Sequence, residues 1–74
     1  MAAYLYLPRR AGQKSYRTKC FEPGLVVDFS RGGQAIGVEI TAPTAVPLDR
    51  LNRLLADLGE TPLNEHDYLP VRAA

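Results

Sequence analysis

This chain has one cysteine and one histidine, and both shortages exclude chemistry. A single thiol cannot close an internal disulfide, which fits a reducing compartment such as the cytoplasm. Cys20 and His66 lie 46 residues apart, a spacing that matches no zinc-ligand pattern. Net charge is nearly absent as well: nine Lys and Arg against eight Asp and Glu leave +1. No apolar run approaches the roughly 18 residues of a membrane span, and MAAYLYLPRR lacks the order of a signal peptide. Repeats and low-complexity segments are missing too. The expectation is a cytoplasmic protein with no membrane association, no metal and no cofactor.

What is present is one domain's worth of ordinary globular sequence. The chain has 74 residues, 46% of them hydrophobic and 23% charged, which allows one modest core. Typical per-residue stability implies roughly 4–11 kcal/mol in total, so a partner or second copy could matter to folding. The small net charge hides an asymmetry. Residues 1–31 carry Arg9, Arg10, Lys14, Arg17, Lys19 and Arg31 against Glu22 and Asp28, a net of +4. Residues 32–74 carry three arginines against six acids, a net of −3. A basic half attracts nucleic acid, or the acidic half of its own fold or of a second copy.

Along the chain, AYLYL at 3–7 alternates by twos and reads as a strand, followed by a loop at 8–14. SYRTKCF at 15–21 is a second strand, Glu22-Pro23-Gly24 a turn, LVVDFS at 25–30 a third strand and QAIGVEI at 34–40 a fourth. LDRLNRLLADLG then places Leu48, Leu51, Leu54, Leu55 and Leu58 at helical spacing, with Pro47 in the first turn and Gly59 as the stop. Asp49, Arg53 and Asp57 form a charged ladder on the other side of that helix. The tail predicts one short helical turn capped by Asn64. The division is a single domain over 1–74: sheet at 1–42, loop and helix at 43–59, tail at 60–74.

Strand register follows from arithmetic. With Gly32-Gly33 as a two-residue turn, partner numbers sum to 65, pairing Phe29 with Ile36, Val27 with Val38 and Leu25 with Ile40 on one apolar face. With Pro23-Gly24 as the preceding turn, partners sum to 47. That sets Cys20 and Thr18 on the apolar face and Lys19 opposite Asp28. Asp28 and Glu39 then read as solvated groups on the outer side, Asp28 in an ion pair with a fraction of a kcal/mol to contribute. The leucine helix covers the inner face; burying five leucines would contribute roughly 7–15 kcal/mol before entropy is subtracted.

No catalytic constellation emerges. Cys20 is expected inward and inert, His66 lies in a polar tail, and Ser30-Arg31-Gly32-Gly33-Gln34 joins two strands without opening a helix, so it is no phosphate loop. The outer face is more informative. Tyr4 and Tyr6 turn outward when Leu5 and Leu7 turn in, and join Arg17, Lys19, Phe21 and Val26 as a candidate interaction surface. Aromatics interleaved with cations suit a protein interface, a second copy of the chain, or single-stranded nucleic acid.

Tyr4-Leu5-Tyr6-Leu7-Pro8 and the stretch Val27-Asp28-Phe29, Gly33, Ile36-Gly37-Val38-Glu39-Ile40 resemble a family of small bacterial and phage proteins, domain of unknown function 2283. The resemblance covers about residues 1–42 and implies a small antiparallel sheet in the cytoplasm without known chemistry. Two features of that family have no counterpart: an acidic stretch before the first strand, and a second aspartate in the turn, where this chain has Ser30. The expectation is therefore an α+β fold: a four-stranded antiparallel meander with one amphipathic helix on one face. Its expected role is a non-enzymatic interaction module that self-associates or binds a protein partner, or, alternatively, a small regulator that binds nucleic acid through its basic N-terminal half.

Overall fold

A computed structural model describes residues 2–8 and 13–72; Arg9 and Arg10, in the expected 8–14 loop, lie outside them. The fold is α+β. Four antiparallel strands, β1 (Ala3–Tyr6), β2 (Arg17–Glu22), β3 (Leu25–Phe29) and β4 (Ala35–Ile40), form one open sheet. A 3-10 turn at Pro43–Ala45 leads into α1 (Leu48–Asp57), and α2 (Glu65–Arg72) follows.

Strand order departs from a simple meander. It is β1-β4-β3-β2, so β2, β3 and β4 form consecutive hairpins while β1 pairs with β4, a Greek-key order. The connection from β1 to β2 therefore passes from one edge of the sheet to the other. Its two ends are fastened to the β3–β4 turn. The Gln34 amide donates to the Pro8 carbonyl at 3.3 Å, and the Gln13 amide donates to the Gln34 side-chain oxygen at 3.1 Å.

The β3–β4 hairpin keeps its expected core register by two departures that cancel. Its loop has one residue more than expected: Gly33 N–H donates to the Ser30 carbonyl, Ser30 N–H donates to the Gln34 carbonyl, and Gly33 takes φ +87°. Buried Ser30 closes this turn, its Oγ accepting from Gln34 N–H at 3.2 Å. Phe29 consequently pairs with Ala35, not Ile36. A bulge then restores the expected partners, Val27 with Val38 and Leu25 with Ile40.

In the β2–β3 hairpin nothing cancels. The Pro23-Gly24 turn forms as expected, with Gly24 at φ +88° and Glu22 paired with Leu25. Phe21 is then an extra residue, and beyond it Cys20 pairs with Val26, Lys19 with Val27, Thr18 with Asp28 and Arg17 with Phe29. A one-residue slip moves each side chain to the opposite face. The expected Lys19–Asp28 pair is thus overturned, and so is the inward placement of Thr18 and Cys20, both of which are exposed.

Both helices lie over one face. Leu51, Leu54 and Leu55 of α1 are buried with Leu25, Val27, Val38 and Ile40, and Leu48 and Leu58 pack at the rim. α1 ends in a Schellman arrangement: Glu60 N–H donates to the Leu55 carbonyl, Gly59 N–H to the Ala56 carbonyl, and Gly59 takes φ +76°. Pro47 stands at the N-cap, one position earlier than expected. Asp49, Arg53 and Asp57 are exposed.

The tail contributes more core than one helical turn would. Asn64 caps α2, its side-chain oxygen accepting from Asp67 N–H at 2.8 Å. The helix continues to Arg72 despite Pro70 within it. Tyr68 is 1% exposed, and its hydroxyl donates to the Val46 carbonyl at 2.8 Å. Asn52 ties the approach to α2 back onto α1. Its amide nitrogen donates to the Leu63 carbonyl at 2.9 Å, and its oxygen accepts Leu63 N–H at 2.8 Å. Asn52→Ala removes both bonds from a half-buried site and should destabilise the protein by about 1–3 kcal/mol. Chemical denaturation checks this; a change under 0.5 kcal/mol would show that the tail is held by the packing of Leu63, Tyr68 and Val71 and not by Asn52.

Candidate interaction surfaces on the sheet

The six residues of the expected surface divide between the two faces. Tyr4, Tyr6 and Val26 share the outer face with Thr18, Cys20, Asp28, Gly37 and Glu39. Arg17 and Lys19 pair with Phe29 and Val27, so they point to the helix side, and Phe21 meets Phe29 there with ring centroids 6.1 Å apart. The extra residue in β2 is what separates them.

On the outer face the strongest feature is a lock. Tyr4 pairs with Glu39, and its ring lies diagonally across Gly37. A Cβ at position 37 would overlap the Tyr4 ring and hydroxyl. Tyr4 covers backbone that a side chain would otherwise cover, the way aromatic residues compensate a strand glycine. Its hydroxyl reaches Asp28, the partner of Gly37, and donates to the carboxylate at 2.7 Å. A hydrogen bond to a carboxylate is among the stronger ones. Tyr6 packs edge-on against Tyr4, centroids 4.8 Å apart, and remains 69% exposed. Asp28 is therefore an acceptor for Tyr4, and Glu39 sits two residues along the neighbouring strand, opposite Val26.

On the helix side, the helices do not extend over β2. All of Arg17 to Phe21 is exposed, Phe21 by 40%. Two cations stack on rings here, Arg17 over Phe29 at 5.7 Å and Lys19 over Phe21 at 5.1 Å; just before the strand, Arg31 stacks over Tyr16 at 5.4 Å. Tyr16 is 63% exposed. Among the described residues none of these cations, nor Lys14, has an ion-pair partner. The acid of β2, Glu22, is held at the strand's end by Arg50 of α1, which also donates to the Pro23 carbonyl. Sequence reasoning missed Phe29 as a member of this strip, and Tyr16 and Arg31 as a stacked pair at its start.

The remaining possibilities are modest. Cys20 is exposed, its thiol donating to the Glu22 carbonyl at 3.3 Å. It lies on β2, whereas α2, which carries His66, packs along β1 at the other edge. A cleft of about 250 Å³ between the 3-10 turn, α1 and α2 is lined by Leu48, Tyr68, Leu69 and Glu65 among others. It is smaller than most small-molecule sites. No group of His, Cys, Asp and Glu among the described residues could hold a metal ion. No helix among them is long and apolar enough to cross a membrane. No protein-family model, curated protein or solved structure matches the chain.

The lock yields a prediction. Gly37→Ala should destabilise the protein by about 1–3 kcal/mol through overpacking. In a Tyr4→Ala background the same change should cost little or become favourable. A double-mutant cycle by denaturation measures the coupling; purely additive effects would mean that Tyr4 does not cover Gly37.

Proposed function

We propose that this protein is a small non-enzymatic interaction module whose contact surface is the β2 edge of the sheet. One observation carries the reading: an edge strand exposed from Arg17 to Phe21, whose cations rest on aromatic rings in place of acids. Aromatic residues and arginine supply much of the contact area of protein interfaces. Phe21 and Tyr16 are large side chains that the fold leaves uncovered. Lys and Arg on an edge strand also discourage a second copy from pairing there, so the occupant is a different molecule.

Self-association is the second reading, and it uses the outer face. What favours it is the placement of both helices on the other side and the 69% exposure of Tyr6. We further propose kinship with domain of unknown function 2283, in a bacterial or phage cytoplasm. Asp28 and Gly37, which carry much of that resemblance, are two of the three groups in the Tyr4 lock. The shared pattern would then encode packing and no activity.

Capture from a host lysate with the wild type and with the Arg17→Glu, Lys19→Glu double variant tests the first reading. The wild type should retain a component that the double variant loses and that Tyr6→Ser keeps. Identical eluates from wild type and double variant would overturn it. For self-association, sedimentation should show a wild-type oligomer that Tyr6→Ser shifts toward monomer; a monomeric wild type at about 100 μM, near the weak end of specific association, would end that reading.

A further inference from the structure

We infer that the β2 edge binds single-stranded nucleic acid. The inference rests on the interaction-module reading of the same surface and names its ligand. Arg17 and Lys19 on this edge, Arg31 over Tyr16 at its start, and exposed Lys14 three residues before the strand have no acidic partner among the described residues. The nearby acids are engaged elsewhere: Glu22 with Arg50, and Asp28 on the opposite face with Tyr4. The local field is therefore positive although the chain as a whole is close to neutral.

Charge alone would suit any polyanion, and the rings narrow the choice. Phe21 and Tyr16 are exposed and each already holds a cation within 5.1–5.4 Å. An unpaired base has a π face that stacks on such a ring. When it does, the displaced cation meets the adjoining phosphate. Each cation–ring contact is thus exchanged for a base–ring contact and a cation–phosphate contact, and no charge is left unpaired. A duplex hides its base faces and cannot make this exchange. An acidic peptide would satisfy the cations and leave the rings with little to do. Six residues of β2 extend about 20 Å, enough for a run of a few nucleotides.

The test uses the full chain and a fluorescent 15-nucleotide oligothymidylate, read by anisotropy, beside a duplex of equal length and a polyglutamate peptide. The oligothymidylate should bind best. With three or four phosphate contacts its affinity should fall roughly 20- to 50-fold between 50 and 200 mM salt. Phe21→Ser should weaken it roughly tenfold and Phe21→Tyr should not, because stacking survives in tyrosine. Circular dichroism confirms folding, and the salt dependence needs no variant. Absence of binding at 20 mM salt overturns the inference, as does duplex binding of equal strength. Polyglutamate binding that is tighter than oligothymidylate binding and lost in Lys19→Gln also overturns it, while leaving the interaction-module reading intact. That broader reading falls instead if the lysate capture also fails.

Discussion

Side chains on a β-strand alternate between faces, so one extra residue in a strand inverts everything beyond it. The layout of this protein depends on where that happens. In β4 an extra residue follows a loop that is itself one residue longer, and the inversion is undone before it reaches Val38 and Ile40. The core under α1 is thereby kept. In β2 the extra residue is Phe21, and nothing compensates it. Arg17 and Lys19 are carried to the helix side beyond the reach of the helices, and Thr18 and Cys20 to the open side. A cation–aromatic edge exists because the β2–β3 hairpin is out of step by one.

The two faces consequently have different characters. The outer face is organised by Tyr4, which covers Gly37 and bonds Asp28 across three neighbouring strands. This ties β1 to the sheet from above as well as through its ladder with β4. Such a contact rewards a glycine at 37 and an acceptor at 28 for structural reasons. The helix side is organised by burial, Leu51, Leu54, Leu55 and Tyr68 over the central strands. Arg50 pins α1 to the β2–β3 turn and leaves the rest of β2 uncovered.

Much of this was legible in the sequence. Period-two alternation marked four strands, leucine spacing marked α1, and Gly59 marked its end, because each signal is local. The β3–β4 core pairs were legible because mispairing polar with apolar residues would be costly. The register of β2 was not legible. Its alternation is weak, with Thr18, Lys19 and Cys20 tolerable on either side of an uncovered edge, so patterning did not penalise the wrong choice. Strand order was missed because short connections favour neighbours, whereas the β1–β2 link is long enough to cross the sheet. Tyr68 and Asn52 were missed since a single buried tyrosine and an asparagine bonded to distant backbone leave no periodic trace. The candidate surface was read as one face, whereas the slip in β2 divides its residues between two.

The register of β2 is the claim on which the cation–aromatic edge stands, and proton–proton contacts across the β2–β3 ladder measure it directly in solution. Backbone contacts linking Thr18 with Asp28 and Cys20 with Val26 are the result expected, with side-chain contacts between Lys19 and the Phe21 ring on the helix side. Contacts linking Thr18 with Phe29 and Cys20 with Val27 would instead put Lys19 beside Asp28, dissolve the basic strip, and contradict the account.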